Sequence, residues 1–127
     1  MVDKTAVWLV AFDYQGKVPS KSNYRQNYTD ESRKKWREIR EFEESVGKHA
    51  MAYGAKMREE CVVEVEVDLL NQRLDADNGA KAICDALEGV CFKNDSKKYF
   101  RRINIGHLPD QKGEEPEVGV IVRWYLR

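Results

Sequence analysis

Residues 61–88 read Cys-Val-Val-Glu-Val-Glu-Val-Asp-Leu-Leu-Asn-Gln-Arg-Leu-Asp-Ala-Asp-Asn-Gly-Ala-Lys-Ala-Ile-Cys-Asp-Ala-Leu-Glu. In the first ten, Val63, Val65, Val67 and Leu69 fall on one side of an extended chain, while Glu64, Glu66 and Asp68 fall on the other. Successive strand side chains point to opposite faces, so the pattern predicts a strand over Cys61–Leu70 with one buried face. After a short turn at Asn71–Leu74 the period changes. Ala80, Ile83, Cys84 and Leu87 recur at spacings of three and four, which predicts a helix from about Ala76 to Glu88, with Gly89 as its stop.

Working outward, Ala6–Tyr14 is an apolar run suited to a mostly buried strand. Residues 15–28 hold Gly16, Pro19, Ser20, Ser22, Asn23 and Asn27, the chemistry of a loop. Thr29 or Asp30 can cap a helix carrying Trp36, Ile39 and Phe42–Val46 at helical spacing and ending near Tyr53, its far end weakened by Gly47 and Gly54. Strands follow at about Tyr99–Ile105 and Val118–Leu126, joined by a loop with Pro109, Gly113 and Pro116. The expected fold class is α/β in the broad sense (α+β): a mixed β-sheet with helices packed on it, in the order β-α-β-α-β-β. With no repeat, low-complexity tract or linker, residues 1–127 are expected to form a single domain.

Apolar residues make up 42% and charged residues 35%, a balance that argues against disorder. No apolar run reaches bilayer length and the N-terminus lacks a secretory pattern, so a cytoplasmic location is expected. Cys61, Cys84 and Cys91 are odd in number with no CxxC pair, which favours neither a zinc ribbon nor a disulfide framework. His49 and His107 have no ligand spacing.

The net charge is zero, but it is unevenly spread. Residues 15–37 hold seven Lys/Arg against two acids, and residues 38–78 eleven acids against five bases. Residues 79–112 return to a positive balance, with Lys93, Lys97, Lys98, Arg101 and Arg102 inside ten positions. Such clusters are either solvated faces or surfaces that hold phosphates.

Asp75 and Asp77 open the predicted helix, Lys81 lies one turn past Asp77 on the same face, and Asp95 follows the helix. Hard carboxylate oxygens beside an ammonium suit a magnesium-type site that handles phosphate. Plainer roles stay open: Asp75 as an N-cap, Asn78–Gly79 as a tight turn, Asp77 with Lys81 as an i,i+4 ion pair, and Asp85 as a solvated position or a second partner of Lys81. An EF-hand loop is excluded, because Ala80 stands at the glycine position and Ala86 at the twelfth.

The run Asp75-x-Asp77-Asn78-x-x-Lys81-x-x-x-Asp85-Ala86-Leu87, followed by Asp95, resembles the signature of the RusA-type Holliday junction resolvases. The likeness is strongest over residues 73–95 and extends through chain length, element order and the loop Pro19-Ser20-x-x-Asn23. It implies a small Mg2+-dependent endonuclease, with Mn2+ as a substitute ion, that acts as a homodimer on four-way DNA junctions in recombination and repair; such proteins are common in prophages. By the resemblance, Asp75, Asp77 and Asp95 are the metal-binding and catalytic acids, Lys81 is the catalytic lysine, and Asn78, Asp85, Ala86 and Leu87 are mainly structural. Three departures touch junction selectivity. Arg73 is the only base just before the first acid, the spacer before Asp95 is about one residue short, and Asn94 stands where a second acid is common.

A helix over residues 77–88 is about 18 Å long. The seven residues from its end to Asp95 reach at most ~24 Å. Asp95 can therefore just fold back to Asp75 and Asp77, which is the favoured arrangement, or complete a partner subunit's site. Lys93, Lys97, Lys98, Arg101 and Arg102 are expected to line the DNA path near the acids, with Arg73 beside them and Lys17, Lys21 and Arg25 making a second contact. Tyr24, Tyr28 and Tyr99 are candidates for base stacking, although packing roles are favoured. The alternatives are a non-catalytic dimer that binds branched DNA, a nuclease for other branched nucleic acids, and a structural domain whose acids hold a loop.

Overall fold

The computed structural model describes residues 5–20 and 30–127. Six elements follow in the expected order: β1 (Trp8–Gln15), α1 (Asp30–Ala52), β2 (Cys61–Leu70), α2 (Ala76–Leu87), β3 (Phe100–His107) and β4 (Glu117–Leu126). They form an α+β fold on one four-stranded mixed sheet ordered β1-β4-β2-β3, in which β4 runs antiparallel to both β1 and β2, and β3 runs parallel to β2. The strand, turn and helix over residues 61–87 are thus the first two-thirds of a β-α-β crossover that β3 completes.

Strand β2 keeps the alternation its sequence dictates. Val63, Val65, Val67 and Leu69 are buried and align with Trp124, Val122, Val120 and Val118 of β4. Ile39, Phe42, Val46 and Ala50 of α1 and Ala82, Ile83, Ala86 and Leu87 of α2 complete the core. Trp124 is fully buried and its indole N–H donates to the Cys91 carbonyl at 3.0 Å, tying the segment after α2 to the central strand. The opposite sheet face is mixed: Glu64 pairs with Arg101 at 2.7 Å and Glu66 with Arg123 at 2.8 Å, and the strand register sets Leu9, Ala11 and Ile121 on that same face.

Two expectations change. The Ala6–Tyr14 run forms an edge strand with one strand neighbour; Val10 and Phe12 reach the core, while Leu9, on the face opposite the core, is 52% exposed and Trp8 is 43% exposed. Trp36 of α1 is exposed, and burial on that helix begins at Ile39. Gly47 marks the place where α1 crosses α2: a Cβ there would lie 3.3 Å from Val90 Cγ2 and 3.6 Å from the Ala86 carbonyl oxygen. The three cysteines are free; Cys61 and Cys91 are buried, and burial pushes the Cys91 thiol up to about 12. Among the described residues no helix is long and apolar enough to cross a membrane.

Candidate active site and nucleic-acid interface

The acids at the start of α2 stand where β2 has ended and the chain turns back. Asp75 is the N-cap: its backbone is extended (φ −74°, ψ 165°) and its Oδ1 accepts the Asn78 N–H at 2.9 Å. Capping and a ligand role are compatible, because the cap uses one carboxylate oxygen. Asp77 lies in the first turn, where free N–H groups favour anions. Asp75, Asp77 and Lys81 are exposed. Asn78–Gly79 is helix rather than turn. Gly79 brings this end of α2 down onto the sheet, since a Cβ there would meet Ile105 Cδ1 at 3.1 Å and Leu69 Cδ1 at 3.2 Å. Ala86 and Leu87 are buried, in keeping with structural roles.

Two residues that the sequence reading passed over organise the approach to Asp75. Gln72 is the one buried polar residue among those described. Its Oε1 accepts the Val18 N–H at 3.0 Å, and its Nε2 donates to the carbonyls of Gly16 at 2.8 Å and Glu117 at 3.3 Å. Asn71, at φ 53°, accepts the Gln111 N–H and donates to the Gln111 and Glu114 carbonyls. These bonds fasten the 16–18 loop and the 111–114 loop to the turn before α2. A cleft of about 570 Å3 results, lined by Lys17, Val18, Ser20, Asn71, Gln72, Arg73, Leu74, Glu114 and Pro116. Its only signal in the sequence was an Asn, able to take a positive φ, at the end of a strand. Lys17 and Arg73 therefore converge in a cleft whose lining ends at Leu74, one residue before Asp75 in the chain. Lys21, Tyr24, Arg25, Tyr28 and Thr29 lie outside the described residues.

The remaining expected residues sit elsewhere. Helix α2 runs back along the sheet, so the segment that follows it lies by the start of β2, where Val63 aligns with Phe100. At about 3.3 Å per residue, the seven steps from Val63 to Leu70 put roughly 23 Å between the two ends. Lys93, Asp95, Lys97, Lys98, Arg101 and Arg102 thus belong to the end of the sheet away from Asp75, and within one chain they do not flank the first two acids. Arg101 is also committed, with Nε and a terminal nitrogen on Glu64 at 2.7 Å and its guanidinium 4.8 Å over the Tyr125 ring. Asp95 stands by the later part of α2: burial, then the charges of Asp85, Asp95 and Glu88, push the Cys84 thiol up to about 12.

Among the described residues, no three Asp, Glu, His or Cys side chains stand close enough to hold a metal ion. The fold-back of Asp95 onto Asp75 and Asp77 is therefore not assembled here. Outside the described residues, 21–29 contain no acid, histidine or cysteine, and 1–4 contain one acid, Asp3.

An exposed pair of carboxylates and a lysine in the first turns of a helix, preceded in the chain by a cleft that carries Lys17 and Arg73, suits phosphate-ester chemistry. The family follows from comparison: a model described as endodeoxyribonuclease RusA matches residues 15–123, and the chain belongs to that family. Its members are hydrolases acting on Holliday junctions and generally depend on a divalent metal. No curated protein matches the chain.

Proposed function

We propose that this protein resolves four-way DNA junctions by paired symmetric nicks in recombination and repair, as a Mg2+-dependent homodimer whose two active sites are each built from both chains. Asp75 and Asp77 of one chain and the partner subunit's Asp95 form the acid set, and Lys81 supplies the fixed cation. The observation that carries the two-chain reading is the separation of the acids. One described chain offers no three-ligand group, and its third acid and basic cluster belong to the end of the sheet remote from the first two acids. A two-fold axis that sets two copies antiparallel brings the acid-rich end of each beside the base-rich end of the other.

The ion would polarise the scissile phosphate and lower the pKa of water bound to it. The chain's own residues do the rest. Lys17 and Arg73 hold phosphates in the cleft, the N–H groups at the start of α2 favour anion entry, and the Lys81 ammonium opposes charge that develops on the phosphoryl oxygens. Lys93, Lys97, Lys98 and Arg102 extend the track over the partner's end of the duplex.

The test is a labelled four-way junction incubated with and without Mg2+ beside a linear duplex. Paired nicks that need the ion, and that Asp75→Asn abolishes while junction binding persists, support the reading. Asn is an N-cap as good as Asp, so this exchange removes the charge and keeps the helix start. Loss of binding together with cutting would assign Asp75 a structural role and contradict the proposal.

A further inference from the structure

At the basic end lies a cavity of about 320 Å3 lined by Met57, Arg58, Glu59, Lys93 and Tyr99, a size at the lower end of small-ligand pockets. Its two walls, residues 57–59 before β2 and residues 93–99 before β3, are stitched together. The Arg127 guanidinium donates to the carbonyls of Glu59, Cys61 and Lys98, and the Val63 N–H donates to the Tyr99 carbonyl at 2.8 Å. The Tyr99 ring is surrounded by cations: Lys98 Nζ and Arg127 Cζ at 5.3 Å and Lys93 Nζ at 6.0 Å from its centroid. Arg58 lies 4.4 Å over the Trp8 ring and also lines the pocket, on which Lys93 stands as a second cation. Two cationic side chains on one small cavity favour an anionic oxygen as the group it takes.

We infer that this pocket is a subsite for one unpaired nucleotide of the DNA strand, with the base against Tyr99 and the phosphate held by Arg58 and Lys93. An aromatic face ringed by cations, with Glu59 as the single acid of the lining, matches a π-faced base that carries a phosphate. The inference rests on the nuclease reading and deepens it. The nucleotides at the centre of a branched junction are the ones free to leave the stack, whereas a fully paired duplex offers none.

The experiment uses full-length Asp75→Asn protein and a duplex carrying one unpaired 5-iodo-deoxyuridine, irradiated and mapped by mass spectrometry. Crosslinking to Tyr99 is expected; crosslinks confined to residues outside the pocket overturn the inference. In parallel, Arg58→Gln and Tyr99→Ala should each weaken binding of the unpaired-nucleotide duplex by about tenfold while binding of the fully paired duplex changes less than threefold, with Tyr99→Phe restoring the preference. Equal losses on both DNAs would reduce the pocket to general charge attraction and overturn it. So would displacement of the oligonucleotide by a Glu-rich peptide, or by free thymidine 5′-monophosphate at matching concentration. Junction cutting by the unsubstituted protein separates the two claims. Cutting without the Tyr99 crosslink removes the pocket alone, and the crosslink in a protein that never cuts supports the pocket while removing the nuclease reading.

Discussion

The two ends of the β2–α2 pair are built on opposite principles. At the end where β2 stops, acids are held by backbone geometry: Asp75 caps a helix, Gly79 presses that helix onto the sheet, and Gln72 and Asn71 fasten two loops around it. At the other end, bases are arranged around an aromatic ring, and a C-terminal arginine sews the segments together. The first end has two carboxylates and, among the described residues, no third ligand beside them, and the second has a third acid among clustered bases. Each lacks what the other has, which is the condition under which a two-fold dimer gains function and not size alone.

The largest effect expected from breaking this contrast is on turnover. Lys81→Ala, at an exposed position, should lower junction cutting by about 10²–10³-fold in single-turnover assays while thermal stability stays near the parent's. Next comes the scaffold of the acidic end. Gln72→Leu leaves the Val18 N–H and the Gly16 carbonyl without their partner, which should cost about 1–3 kcal/mol in urea unfolding and depress cutting as the 16–18 loop detaches. Gly79→Ala should cost about 1–2 kcal/mol, because Ile105 and Leu69 must give way by a few tenths of an ångström. The basic end is sharpened by salt: junction affinity should fall steeply between low and physiological ionic strength, and flat dependence would remove Lys93, Lys97, Lys98 and Arg102 from the DNA path.

The smallest effect concerns the thiols. Cys84 and Cys91 titrate near 12 when folded and near 9 when unfolded, so the unfolded chain releases these protons first. Their contribution is complete below pH 9 and is lost as pH rises toward 12. Stability should therefore decline over that alkaline window, and a Cys84→Ser, Cys91→Ala variant should show a shallower decline.

Local periodicity made much of this legible. The valine alternation of β2 and the stripe of α2 lie at the expected positions, and the acids at their junction stand out because carboxylates at a helix start have an electrostatic reason to be there. Strand order was not legible. Strands β3 and β4 are consecutive yet not neighbours, and β4 occupies the interior while β1 forms the edge. Both β1 and β4 read as apolar runs, and which of them gains two partners depends on pairings between distant residues that no window reports. The same limit hid Gln72, whose three partners come from residues 16, 18 and 117. It also hid the position of Asp95, where chain reach alone had allowed a fold-back.

The two-chain site is tested most directly by mixing subunits. Asp75→Asn and Asp95→Asn proteins, each inactive alone, are combined at equal concentration and presented with a labelled junction. Sites shared between chains leave one intact site in each heterodimer, so cutting should return as nicks in one of the two symmetry-related strands. Sites contained within single chains leave a lesion in every site, and a mixture as inactive as its parents would contradict the account.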